Sequence, residues 1–277
     1  MVTTGSGLIL RKGMFTMKRT ICALLTIFTL LSLCACSGKA PENTVLSGED
    51  VAGSKVGVFR NAVSGFFSSE SDATVRDFDS QDELLASLKV GSLDCAVIDA
   101  NEVGSFVKHQ HALKVLDDPL VSVGICFAVA LENADLTKDI NKQLAALTES
   151  GLLEKLTDHY FNGGDFVYES PEELDRSAGT LTLAVGADFP PYKTTDESGN
   201  PAGLDIDVAR AVCDRLGLGL EIVVLKNAGR EALLDEVIYG RAHFAAGSVY
   251  ADEEDESRVG FTDPFAECTQ MIVVRKK

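Results

Sequence analysis

Asp252-Glu253-Glu254-Asp255-Glu256 is an unbroken acidic run. Four of its residues could draw in a cation, but a calcium loop needs alternating oxygen ligands about a central glycine, and that spacing is missing. A solvated turn or exposed helix is the expected reading. The histidines, His109, His111, His159 and His243, are scattered without a metal-like partner and are expected as surface or core imidazoles. Cys95, Cys126, Cys213 and Cys268 lie far apart in apolar surroundings and form no CxxC, so they are expected to be buried thiols. A disulfide among them is left open, because sequence does not pair them. Asp205 and Asp207 open a helical stretch, where capping or the helix dipole accounts for both. No acid–base pair or nucleophile–base spacing stands out, so catalysis is not expected, nor a cofactor or a metal.

These residues sit in a globular chain. Of 277 residues, 45% are hydrophobic and 24% charged, with 25 Lys and Arg against 42 Asp and Glu, a net charge of −17. That balance excludes a nucleic-acid binder, which needs clustered cations, and a basic face for an anionic bilayer. The chain has no Trp, which disfavours stacking on a sugar ring. Residues 21–33 form an apolar run after Lys18-Arg19, ending in Leu33-Cys34-Ala35-Cys36-Ser37-Gly38. This is the pattern of a secretory signal and falls short of the ~20 residues of a spanning helix. Its end resembles a bacterial lipobox, with Cys36 as the lipidated residue and new N-terminus. Met17 reads as the start, with residues 1–16 an extension ahead of it.

Strand and helix signals then alternate. Residues 55–59, 74–78, 95–98 and 113–116 read as strands, and residues 81–90 as a helix capped by Ser80 and stopped by Gly91. Residues 121–131 read as one long strand, followed by helices over 135–149 and 152–160. A polar, Gly- and Pro-containing linker spans 162–179. Strands over 181–185, 220–225, 242–246 and 271–274 then alternate with helices over 206–216 and 231–239. Leu84-Leu85, Gly91 and Ala96 recur at the same spacing as Leu233-Leu234, Gly240 and Ala245. The alternation implies an α/β protein with mostly parallel sheets, and the repeat implies two similar lobes around a cleft.

The chain also carries motifs. Leu181-Thr-Leu-Ala-Val-Gly-Ala-Asp-Phe-Pro-Pro-Tyr192, Gly199-Asn-Pro-Ala-Gly-Leu-Asp-Ile-Asp207, Phe261-Thr-Asp-Pro-Phe265 and Gln270-Met-Ile-Val-Val-Arg275 resemble the first half of the family 3 solute-binding proteins of ABC importers. Leu46-Ser-Gly-Glu-Asp-Val-Ala-Gly-Ser-Lys-Val-Gly-Val58, Leu84–Asp94, Val97-Ile-Asp99 and Val123–Val129 resemble the second half. The order is reversed, so the resemblance implies a circularly permuted, two-lobed periplasmic-binding-protein-like fold of type II. The implied organisation is a signal at 1–36, a tether at 37–46, lobe 2 at 47–122, a hinge strand and returning helices at 123–161, a linker at 162–179 and lobe 1 at 180–277. One strand, over 121–131, is expected to cross between lobes, with the other crossing cut near Arg275.

The resemblance also assigns a site. Phe189 matches the aromatic that stacks on the ligand, with Asp188 beside it and Tyr192 in a structural position. Asp99 matches the lobe-2 carboxylate that takes an α-ammonium. The family's hydroxyl-and-Arg clamp for the α-carboxylate falls on Ala246, Gly247, Ser248, Val249 and Ala251, with Glu254 at the Arg position. A carboxylate does not replace a guanidinium there. The family's Gly-Ser/Thr helix start falls on Arg60-Asn-Ala-Val-Ser64. Arg60 or Arg258, with backbone N–H groups near Ser64 or Ser248, is the expected replacement clamp. The implied function is an extracytoplasmic substrate-binding lipoprotein, anchored to the cell membrane through Cys36, that captures an amino acid or close derivative for a membrane permease. The chain is expected to be a monomer or a domain-swapped dimer. A ligand sensor and a binder of an amine without a carboxylate are the alternatives, and an enzyme like the cyclohexadienyl dehydratases is not expected.

Overall fold

Short runs of β-branched and small apolar residues become strands, and stretches with leucines three and four apart become helices. The computed structural model describes residues 40–59, 63–186, 188–226, 228–247 and 249–276. In chain order they carry β1 (Lys55–Phe59), α1 (Val63–Glu70), β2 (Thr74–Phe78), α2 (Gln81–Val90), β3 (Cys95–Asp99), α3 (Ala100–Val107), β4 (Leu113–Val115), β5 (Val121–Ile125) and β6 (Ala128–Ala130). Then come α4 (Ala134–Glu149), α5 (Leu152–Asn162), β7 (Thr180–Val185), β8 (Thr194–Thr195), β9 (Pro201–Ala202) and α6 (Leu204–Leu216). The last are β10 (Gly219–Val224), α7 (Arg230–Ile238), β11 (Phe244–Ala246), β12 (Val259–Phe261) and β13 (Ala266–Arg275). Cys36 and the export segment lie outside the described residues.

The fold is α/β with two principal sheets. The lobe-2 sheet runs β2-β1-β3-β13-β4, with β5 also paired to β13, and the lobe-1 sheet runs β10-β7-β11-β6-β12. In each, three parallel strands come first, β2-β1-β3 and β10-β7-β11. Each is then joined by a strand of opposite direction, β13 beside β3 and β6 beside β11. The sheets are therefore mixed rather than mostly parallel. The repeat has a structural meaning. Leu84 and Leu85 on α2 and Leu233 and Leu234 on α7 are buried, and each helix leads through a left-handed glycine, Gly91 or Gly240, into the third strand of its sheet. Each fully buried leucine contributes roughly 1.5–3 kcal/mol.

Two strands cross between the lobes. The stretch read as one strand over 121–131 is two, because Cys126 and Phe127 leave the ladder and the chain passes from the lobe-2 sheet to the lobe-1 sheet. The second crossing is not cut near Arg275. β13 is continuous: Ala266–Gln270 pair with β5 and Gln270–Val274 with β3. Residues 270–275, expected in lobe 1, thus complete the lobe-2 sheet. Val45 and Val274 share one apolar cluster with Val51, Val56 and Leu116. Asn43 and Val45, expected in the tether, are buried against lobe 2.

Helix α3 was not legible in the sequence, and α1 was implied only by the resemblance, which puts a helix start at residues 60–64. α1 is built from Ser, Gly and Phe, poor helix formers whose helix is held by tertiary burial of Phe67. The stretch 162–179 is less of a free linker than its composition suggests. Tyr168 Oη and Arg176 Nη2 donate to the Asp214 carboxylate at 2.9 and 2.7 Å, strapping it to α6.

Arg275 closes β13. Its buried guanidinium donates to the Leu88 and Leu93 carbonyls at 2.7 and 2.5 Å, capping the C-terminus of α2. Arg275→Met should cost about 1.5–3 kcal/mol, the range for hydrogen bonds from a charged donor. Urea unfolding of the two proteins checks it.

Candidate ligand cleft

In open α/β sheets ligands gather at the carboxyl ends of the strands. Here β7 runs out into residues 186–192, β11 into 247–250, β1 toward α1, and β3 ends on Asp99. The lobes meet where Phe67 of α1 packs on Tyr250, ring centroids 5.6 Å apart.

On the lobe-1 side, Phe189 and Lys193 exchange backbone hydrogen bonds of 2.7 and 3.0 Å. This holds the Phe189 ring, largely buried, 5.5 Å from Tyr192. Tyr192 is fully buried, packs on Phe161 and donates to the Glu267 carbonyl of β13 at 2.9 Å. Burial, with the nearby Cys268, Asp99 and Asp205 adding to it, pushes its phenol well above the ordinary range. Lys193 Nζ donates to Asp188 at 2.7 Å, and Thr195 Oγ1 adds a bond of 3.1 Å. The Lys193 hydrogen bond holds the Asp188 carboxyl below its ordinary range. The sequence offered no signal for Lys193, because loop lysines are ordinarily solvated, yet only 3% of it is exposed.

Gly247 takes φ +82°, and its N–H donates to Asp205 Oδ2 at 2.8 Å. Asp205 therefore does not cap its own helix, as its position suggested, but ties α6 to the strand-end backbone of residues 246–247. Its other oxygen, Oδ1, is buried without a partner among the described residues, and burial pushes the carboxyl up to about 8. Asp207 instead accepts from Tyr160 Oη at 2.7 Å and from Arg210 at 3.0 Å.

The acidic run is not wholly a solvated turn. Asp255 is buried and ion-paired with the buried Arg230, while Glu254 is exposed. Arg230 also donates to the Tyr250 carbonyl at 3.0 Å and lies 4.6 Å from the Tyr250 ring centroid. Burial alone would raise the Asp255 carboxyl, but Arg230 and Arg258 outweigh it and hold it below the ordinary range. Arg258, a candidate replacement clamp, is bonded to Asp255 at 2.7 Å and to Glu231 at 3.2 Å. Its charge is spent within lobe 1. Ala246 and Val249 are fully buried wall residues and Ala251 is exposed.

On the lobe-2 side, Asp99 caps α3. Its Oδ1 accepts from Asn101 N–H at 2.9 Å and from Asn101 Nδ2 at 3.0 Å. Its Oδ2 accepts from Gln270 Nε2 of β13 at 2.9 Å. Gln270 is fully buried, a candidate site residue that the sequence placed in a family motif but gave no ligand role, because nothing in a strand glutamine's position names its partner. Ser64 is buried at the start of α1. Arg60 and Ser248 lie outside the described residues. Cys95, Cys126, Cys213 and Cys268 are all buried free thiols, each pushed by burial up to about 12.

Residues 181–277 match the sequence model of the bacterial extracellular solute-binding proteins, family 3. The probable histidine-binding protein of Neisseria gonorrhoeae is 27% identical over 94 residues, 34% of this chain and 34% of that protein. The L-cystine-binding protein TcyJ of Escherichia coli K12 is 28% identical over 145 residues, 49% of this chain and 52% of that protein. The matches thus span from about a third to half the length of these two relatives. Among solved structures, the arginine-bound form of domain 1 from TmArgBP is 31% identical, with 36% of this chain and 82% of that one covered and a TM-score of 0.30.

Asp205 makes a pH test. A carboxyl whose pKa is raised in the folded state keeps its proton after the unfolded chain has lost it, so it lowers stability as pH rises from about 4 toward about 8. Asp205→Asn should remove that contribution. The stability difference, Asp205→Asn minus wild type, should rise with pH by up to ~1.4 kcal/mol per unit through this window. Urea unfolding at pH 5, 6.5 and 8 measures it.

Proposed function

The chain belongs to family 3 of the bacterial extracellular solute-binding proteins, and from that premise we propose that it captures a small polar solute between its lobes and hands it to an ABC permease. The solute class is an amino acid or close derivative, in line with relatives named for histidine, arginine and cystine. The observation that carries the reading is the pair of strands β5 and β13, joined antiparallel where the chain passes between the two sheets. Such a connection lets lobes close around a ligand by hinge motion. In this reading Asp99 receives the ammonium, Phe189 offers the flat surface, and Asp188, Tyr192, Ala246 and Gly247 shape the lobe-1 wall, with Ser64, Arg60 and Ser248 kept as further candidate contacts. No catalytic step is assigned. Thermal stability and calorimetry against the twenty amino acids and a polyamine set test the reading. Binding by at least one at micromolar concentration is expected, and silence across the panel overturns it.

Two further proposals concern the chain's layout. The first is circular permutation. The support is the order of the sequence motifs, in which residues 180–277 resemble the family's first half and residues 46–129 its second. The cut then falls in the loop after β13 rather than within a hinge, and Val45 and Val274 already pack together. A chain running from Thr180 to Lys276, joined by a short linker to Glu42 and ending at Gly179, restores the family order and keeps the Tyr168 and Arg176 contacts to Asp214. It should fold with a melting temperature within a few degrees of the original and bind the same solutes. Failure to fold counts against the permutation.

The second is a lipid anchor on Cys36, in line with an extracellular solute-binding family. Because Asn43 and Val45 are buried, the free tether is residues 37–42, reaching ~20 Å at ~3.3–3.6 Å per residue. Lobe 2 would then sit close to the bilayer. Mass spectrometry of the protein from its native membrane should find a diacylglyceryl group on an N-terminal Cys36. An unlipidated mature N-terminus elsewhere removes the anchor.

A further inference from the structure

The charges around the cleft are unevenly satisfied. Beside the lobe-1 wall, Lys193 already holds Asp188, Arg230 already holds Asp255, and Arg258 bonds both Asp255 and Glu231. Each of these cations has its anion. On the lobe-2 side the donors to Asp99 among the described residues are all neutral, from Asn101 and Gln270.

Gln270 adds a second observation. Its side chain is fully buried, and its Oε1 has no partner among the described residues. The amide orientation is set by Asp99: turning it over would press Oε1 against a carboxylate oxygen. Buried acceptors without donors are rare, and one beside a carboxylate bonded only by neutral groups marks where a cationic donor arrives. Gln270 is also the residue at which β13 changes partners, from β5 to β3.

We infer that the cleft takes a primary ammonium on Asp99 and the Gln270 carbonyl, with the ligand's apolar body along Phe189 and Tyr250, and that the ligand carries no free carboxylate. The inference rests on the reading of the chain as a solute-binding protein and narrows its ligand class to amines and carboxyl-blocked amino acids. An ammonium brings three N–H donors. The remaining lone-pair site of Asp99 and the two of Gln270 Oε1 match them in number. A ligand carboxylate would meet Lys193, Arg230 and Arg258, the cations beside the cleft among the described residues, already paired with Asp188, Asp255 and Glu231, and an unpaired buried carboxylate is strongly disfavoured.

Calorimetry with three matched sets decides it: the twenty amino acids, their carboxamides, and the corresponding decarboxylated amines. Amides and amines should bind at least tenfold more tightly than the free amino acids. Gln270→Met should weaken the best amine at least tenfold while thermal melting shows a folded protein, and Asp99→Asn should abolish binding. Should Gln270→Met not fold, Gln270→Asn, which withdraws the amide by one methylene, should give the same loss. A free amino acid binding more tightly than its amide overturns the inference and leaves the solute-binding reading standing. Unchanged amine affinity in the Gln270 variants overturns the Gln270 contact. Silence from all three sets overturns the inference and the solute-binding reading together.

Discussion

β13 is the strand on which the rest of the molecule depends. Its first half pairs with β5 and its second half is inserted between β3 and β4. Neither lobe is complete without a strand delivered from the other side, since β6 fills the matching place in the lobe-1 sheet. The interlobe link is therefore not a flexible loop but a ladder of backbone hydrogen bonds.

The cleft residues are fastened to that strand from both sides. Tyr192 of lobe 1 donates to Glu267, and Gln270 donates to Asp99 of lobe 2. Between them lie only Cys268 and Thr269. Tyr192 and Asp99, candidate walls of the cleft, are thus anchored three residues apart on one strand. The Tyr250 wall is fixed differently, by the buried Arg230–Asp255 pair behind it. Removing one member of such a pair leaves an uncompensated charge in a low-dielectric interior, so the pair holds its geometry tightly even where its net stabilisation is small.

Much of this was written locally. The bounds of β1, β2 and α2 follow from residues within a few positions: alternating apolar runs, the Ser80 cap, the Gly91 stop. The two-lobe plan followed from the repeated Leu-Leu and Gly spacing, and the family motifs were contiguous. What was mis-assigned depended on distant partners. Asp205 looks like a helix-start carboxylate until Gly247, forty-two residues on, donates to it. Asp255 looks like one of five solvated acids until Arg230 is folded beneath it. Arg258 looks like a free clamp until Glu231 and Asp255 are brought to it.

The sequence by itself determined element types, the lobe repeat and the identity of candidate ligand groups, because periodicity and short motifs act through neighbouring residues. The tertiary structure alone decided which charges remain unspent. Pairing depends on contacts between residues such as Asp99 and Gln270, 171 positions apart, and on a burial that turns a surface carboxylate into a constrained one. Loop lysines, strand glutamines and acidic runs carry no such information in their order. They acquire it only when packing removes water and selects the partner.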